Sequence, residues 1–428
     1  MRTVLRALYD AAARLASVAS AVVPASNGKT AIAFHARRGI RERYARWSAA
    51  ERDLSRQLVW MHAPSVGEGL QARPVLAMLR AHHPDVQLAY TFFSPSAEEF
   101  SRTLDVDFRD YLPFDSAAHM RSALDALRPD VLVFSKLDVW PQLVRQANAR
   151  GVRIGLISAT LAAASGRRGA LARVLLRDAY ALLDAVGAVD RADADRLVAL
   201  GVPAGVLEVT GDTRFDQVWQ RAHSVDRGSR VLATLASDRP TLVAGSTWPS
   251  DEAPLLDGFL AARAQVPELR LILAPHETTA IHLAPVERWA ARHRLPLARM
   301  DAHEAAAADV VLVDRFGVLG ELYALADVAF VGGGFHEAGL HSVLEPAAFG
   351  APVLFGPRHH RSRDAALLLA ASGARVVTSA AQIGTTLVEW FADAAARRQA
   401  GQRALDVVER ERGAAERSLH LIERLLAK

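Results

Sequence analysis

The sequence predicts an α/β protein of two Rossmann-like domains, and three observations carry that expectation. Short apolar runs alternate with helical patterns along most of the chain, which gives parallel sheets with helices on both faces. The rhythm breaks in the polar stretch Gln220–Arg239 and then resumes. At 428 residues the chain is long enough for two separate cores. Chain length also favours two such domains facing each other across a cleft.

Composition narrows the class. With 51% hydrophobic and 23% charged residues the chain is an ordinary globular protein. It has no cysteine, so disulfides and thiolate metal sites are excluded. The net charge of +4 is unevenly placed. Residues 1–50 hold nine basic groups against Asp10 and Glu42, a balance of +7, and the remainder therefore carries −3.

The first segment, 1–50, reads as an arm. Leu5, Leu8, Ala12, Leu15, Val18 or Ala19, and Val22 recur at helical spacing, with Arg6, Asp10 and Arg14 on other faces. Three charges in fourteen residues argue against a spanning helix, and no small-residue cleavage site marks a signal peptide. An amphipathic helix followed by a basic cluster (Arg37, Arg38, Arg41, Arg43, Arg46) suits the surface of an anionic membrane. The alternative is a helix packed on the protein's own first domain. Phe34, Tyr44 and Trp47 lie among the basic residues but form no nucleic-acid motif, so no nucleic-acid partner is expected.

A first domain is expected over 51–219. Leu58–Met61 predicts a buried strand, a loop of small residues follows, and a helix is expected from about Gly69. Glu68 would lie on that loop between two glycines, open to a ligand; the plainer reading is a first-turn acid favoured by the helix dipole. Further strands are expected at Val86–Phe92, Asp130–Ser135, Val152–Ser158, Ala185–Val189 and Val206–Thr210. Helices are expected between them at 69–82, 116–128, 138–150, 168–183 and 191–200.

Residues 220–239 are expected to be a linker and 240–396 a second domain. Its strands are expected at Thr241–Gly245, Leu271–Ala274, Val310–Val313, Val328–Gly332 and Pro352–Phe355. Three turns at strand ends could receive a nucleotide. Gly245-Ser246-Thr247 offers two hydroxyls before a helix, although a plain helix cap is the commoner use. Gly332-Gly333-Gly334 would let a ligand approach the backbone. In His341-Ser342-Val343-Leu344-Glu345-Pro346, Glu345 could bind ribose hydroxyls. The last segment, 397–428, is helical in composition and is expected to pack back across both domains. No Walker loop, nucleophile elbow or His-Glu-x-x-His motif occurs, and Arg358-His359-His360-Arg361 reads as a cationic loop before it reads as a metal site.

Taken in order, several segments resemble the 3-deoxy-D-manno-octulosonic acid (Kdo) transferases. They are His62-Ala63-Pro64-Ser65-Val66-Gly67-Glu68, Thr210 to Asp216, Gly245-Ser246-Thr247, Leu322 to Gly333 and Leu344 to Ala348. The resemblance implies the GT-B architecture and an inverting transfer of Kdo from CMP-Kdo to a lipid A precursor in lipopolysaccharide core biosynthesis. No cofactor or metal is implied, and the setting would be the cytoplasmic face of the inner membrane. It makes Glu68 the general base, with Ser65, Lys136 and Asp138 on the acceptor side. Arg214, Ser246, Thr247, Pro275, His276, Gly317, Leu319, Gly333, Ser342 and Glu345 would hold the nucleotide sugar.

The departures concentrate at those surfaces. Lys136-Leu137-Asp138-Val139-Trp140-Pro141-Gln142 stands where the family has Glu-x-Glu-Leu-Trp-Pro-Asn, so one acid has become a lysine. Arg214 replaces a lysine, Val318 a glutamate, His276 an arginine and Ser342 an asparagine. These swaps keep open a related transferase with another nucleotide sugar or lipid acceptor, or a non-catalytic membrane-surface protein on the same scaffold.

Overall fold

The computed structural model describes residues 2–22, 28–162, 165, 167 and 169–427. The chain forms two compact units, Met1–Gln217 with Arg412–Lys428, and Val218–Glu411.

In the first unit seven parallel strands run β1 (Leu58–His62), β2 (Gln87–Phe92), β3 (Phe108–Tyr111), β4 (Val131–Ser135), β5 (Arg153–Ala159), β6 (Ala185–Ala188) and β7 (Leu207–Val209). Their order is β3-β2-β1-β4-β5-β6-β7, a doubly wound sheet whose direction of winding reverses between β1 and β4. Helices cover both faces, so β1 and β4 are buried throughout and read as unbroken apolar runs.

The second unit repeats the plan with β8 (Thr241–Thr247), β9 (Arg270–Pro275), β10 (Leu297–Arg299), β11 (Val310–Leu312), β12 (Val328–Val331), β13 (Val353–Phe355) and β14 (Ala374–Val376). The order is β10-β11-β9-β8-β12-β13-β14, and winding reverses between β8 and β12. Three strands escape the sequence reading: β3, β10 and β14. All lie at sheet edges, and their partly or fully exposed polar residues (Arg109, Arg299, Arg375) break the apolar signal.

The N-terminal segment packs on the first unit. Helices α1 (Arg2–Val22), α2 (Lys29–Ala36) and α3 (Ile40–Glu51) precede the sheet, and Ile40, Tyr44 and Trp47 belong to the first unit's core. Arg37 is buried rather than solvated, donating to the carbonyls of Leu112, Ala33 and Phe93. Arg43 makes a paired contact with Asp110. Helix α1 docks by its polar side: Tyr9 donates to Asp115 at 2.8 Å, Asp10 accepts from the Ala117 N–H, and Ser17 pairs with His119. Its apolar residues Leu8, Leu15 and Val18 point outward, 61–70% exposed. The side chains of Leu5 and Val22 lie outside the described residues.

Two boundaries also differ from expectation. The polar stretch 220–239 is not a plain linker. The units divide at Gln217, inside the helix Thr213–Ser224, and a further helix, Arg230–Leu235, buries Leu232 and Leu235 in the second unit. The C-terminal segment is two helices, Ala394–Glu411 and Ala414–Leu426, broken at Gly413, whose φ of +88° favours glycine. The last one returns to the first unit, burying Leu419, Leu421, Ile422 and Leu425.

Candidate active site

The reversal between β1 and β4 places two loops side by side, because the strands pair in register with His62 beside Phe134. Helix α4 (Val66–His82) follows β1 and opens three residues earlier than expected. Glu68 therefore sits in its first turn, not on a loop. Ser65, the residue before the helix, donates its hydroxyl to Glu68 Oε2. From the end of β4, Lys136 brings its ammonium to 3.0 Å from Glu68 Oε1, and Ser135 donates to the Glu68 carbonyl.

The carboxylate is mostly covered, with 16% of its side chain exposed against 41% for Lys136. Burial pushes its pKa up, but the Ser65 hydroxyl and the Lys136 ammonium outweigh that and hold it below the usual carboxylate range. Gly69 lets the turn fit, since a Cβ there would lie 2.4 Å from the Phe100 ring and 2.7 Å from the Tyr90 hydroxyl.

His62 is a strut. It is fully buried, which lowers its pKa to about 3 and keeps it neutral. One ring nitrogen pairs with the Thr91 hydroxyl, and the other accepts from the Trp140 indole at 3.0 Å. The imidazole thus ties β1 to β2 and to the loop that carries Lys136. Asp138 in that loop is paired with Arg167. It lines a cavity of about 290 Å³ with Tyr9, Val139, Trp140, Pro141 and Leu176. Arg214, expected at a phosphate, is engaged by Asp212 in the first unit, Nη2 to Oδ2 at 2.7 Å.

In the second unit the reversal between β8 and β12 brings together Ser246, Thr247 and Gly333, with Pro275 and His276 at the end of neighbouring β9. Two expectations are corrected there. The Thr247 hydroxyl is not free for a phosphate: it is buried and donates to Glu252 at 2.9 Å. The glycines do not stand open to a ligand either. A Cβ on Gly332 would lie 2.2 Å from the Ser246 carbonyl, and one on Gly333 would lie 2.1 Å from that of Gly339, so backbone packs on backbone. Asp251 accepts from the N–H groups of Gly333, Phe335 and Trp248, which locks the three turns together.

Ser246 remains partly open, in a left-handed conformation with φ of +54°. His276 stacks on Trp248 at 4.3 Å and on His341 at 4.7 Å, while His336 lies nearly parallel to the same indole at 4.3 Å. The Trp248 indole N–H also points at His341 Nε2, 3.2 Å away. Trp248 was missed in the sequence because a tryptophan before Pro249 reads only as a helix start. Ser342 is exposed, one residue beyond this stack.

Glu345 opens the short helix Leu344–Ala348 and faces Arg221 at 3.6 Å. Burial raises its pKa despite that partner. Gly317 takes φ of +88°, and Leu319 packs where a Cβ on Gly245 would fall.

Comparison with known proteins bears on the family and the fold. Residues 38–217 match the family described as 3-deoxy-D-manno-octulosonic-acid transferase (kdotransferase). The 3-deoxy-D-manno-octulosonic acid transferase of Bordetella pertussis is 31% identical over 380 residues, 85% of this chain and 86% of that protein. The enzyme of the same name from Haemophilus influenzae is 27% identical over 382 residues, covering 87% and 88%. Among solved structures, the UDP-GlcNAc 2-epimerase of Neisseria meningitidis superposes with a TM-score of 0.62 at 13% identity, over 86% of this chain and all of that one. That likeness concerns the fold.

Proposed function

The chain belongs to the Kdo transferase family of glycosyltransferases, and from that premise we propose that it moves Kdo from CMP-Kdo to a lipid A precursor with Glu68 as general base. The observation that carries the reading is the Glu68 carboxylate itself, aimed by Ser65 and Lys136 at the reversal point of the first sheet. An ionised carboxylate has four lone-pair sites, so two donors leave room for an acceptor hydroxyl.

In the proposed reaction Glu68 takes the proton of that hydroxyl as its oxygen attacks the anomeric carbon. The bond from that carbon to the phosphate oxygen breaks, and CMP departs with the electron pair. A single displacement inverts the anomeric centre, and no metal is invoked. A positioned base of this kind contributes about 10²–10⁴-fold. The nucleotide belongs to the second unit, beside Ser246, Pro275, His276, Ser342 and Glu345.

We assign the work to the cytoplasmic face of the inner membrane, with α1 resting on an anionic surface. The docked polar side of α1 and its outward Leu8, Leu15 and Val18 support this reading. Among the described residues no helix is long and apolar enough to cross a membrane.

Replacing Glu68 by Gln keeps the shape and removes the base. Turnover should fall by about a hundredfold or more, with CMP affinity and thermal unfolding nearly unchanged. Full activity in this variant would refute the assignment. A second reading, another nucleotide donor, is favoured by one observation: the stack of Trp248, His276 and His341 stands where a cation is expected. Calorimetric titration with CMP, UDP and GDP separates the two. Tightest binding of CMP supports the first reading, and preference for either diphosphate supports the second.

A further inference from the structure

Lys136 occupies a position where the family resemblance expects an acid. It follows β4 directly and adopts φ of +73°, a conformation unfavourable for any residue with a Cβ. Its N–H is fixed on the Ile157 carbonyl at 2.8 Å, so the turn is anchored to the next strand. A strained residue held by the surrounding sheet at a site of chemistry is a reason to ask what the strain achieves. Here it directs the ammonium back onto Glu68 Oε1.

We propose that Lys136 is a positioning residue for this transferase, fixing the Glu68 carboxylate in one orientation and keeping it ionised in a half-buried setting. The proposal rests on the reading of Glu68 as the base and adds what controls it. The other groups around the carboxylate do not supply that control. Ser65 donates to the opposite oxygen and Ser135 to the backbone carbonyl, both uncharged. His62 on β1 is neutral because it is buried. Tyr90 on β2 is kept protonated by burial, its pKa raised. Arg73 acts on Tyr90 and Arg37 on His62, and neither is among the groups that shift Glu68.

The consequence has a definite sign. Burial alone drives the Glu68 carboxyl up, and Lys136, with the Ser65 hydroxyl and a backbone hydrogen bond, brings it down. Removing the ammonium therefore moves the carboxyl's titration to higher pH. Installing a second carboxylate moves it further, because like charges sharing a site resist joint ionisation. The midpoint of the acid limb should rank wild type and Lys136→Arg lowest, Lys136→Met higher by about one pH unit or more, and Lys136→Glu highest.

The test follows this order in two independent ways. Infrared difference spectra between each protein and the same protein carrying Glu68→Gln titrate this one carboxyl without substrate. The pH profile of kcat/KM in the transfer assay reports the same group during turnover. Ranked midpoints in both, with Lys136→Arg restoring the wild-type value, support the proposal. An unshifted infrared midpoint in Lys136→Met overturns it, because a merely structural lysine would change stability and not this titration. A shifted midpoint together with full transfer by Glu68→Gln overturns the base assignment instead, while the coupling of the two side chains stands.

Discussion

Two buried acids of this chain take opposite directions, and the difference lies in their partners. Glu68 meets an ammonium and a hydroxyl and is held low. Glu252 meets only the Thr247 hydroxyl and has Asp251 nearby, so burial pushes it up to about 7. The sign for stability follows. The folded state holds the Glu252 proton more tightly than the unfolded chain, whose carboxyl titrates near 4.5. Its contribution is complete below that pH and is lost as the pH rises through about 7, at most roughly 3 kcal/mol. In Glu252→Gln the amide oxygen still accepts from Thr247. The thermal midpoint of the wild type should therefore fall relative to that variant between about pH 4.5 and 7. Parallel curves would show that the carboxyl is not titrating there.

At the scale of elements, α1 shows how an amphipathic pattern can be oriented against habit. Its polar residues face the protein because Asp115 is waiting for them. That carboxylate accepts from Tyr9 and also from the N–H groups of Gln142 and Leu143, capping the helix Pro141–Asn148 that follows the Lys136 loop. The apolar side, Leu8, Leu15 and Val18, is left exposed. Leu15→Asp with Val18→Asp should sharply reduce co-sedimentation with anionic vesicles and leave the unfolding temperature within about a degree, since surface changes rarely exceed 0.5 kcal/mol. Undiminished vesicle binding would remove α1 from the membrane contact.

For the whole molecule, the chain's end is part of its beginning. The helix Ala414–Leu426 buries Leu419, Leu421, Ile422 and Leu425 in the first core, and Gln57 donates to the Leu426 carbonyl. Asp216 accepts from the N–H groups of Gly413 and Ala415, fixing the entry of that helix. Four such side chains are worth about 6–12 kcal/mol together, comparable with a domain's entire stability of about 5–15 kcal/mol. Truncation after Arg412 should leave the first unit unfolded or aggregated. A soluble truncated protein with an unchanged first unfolding transition would contradict this accounting.

The sequence by itself determined the layered α/β class and most of the buried strands, and it singled out Glu68 as the candidate base, because each is written in local pattern: continuous apolar runs, turn residues, and a family motif. What it left undecided was set by partners distant in the chain. The edge strands carry mixed polarity, so pairing alone identifies them. Thr247 and the Gly332–Gly334 turn looked available to a ligand until Glu252, Asp251 and the Ser246 carbonyl were seen against them. The pairing of Lys136 with Glu68, 68 positions earlier, is set by the register of β1 and β4. Local chemistry names the side chains, but only tertiary packing decides which hydrogen bonds are already spent, because those partners are brought together by the sheet and not by the chain.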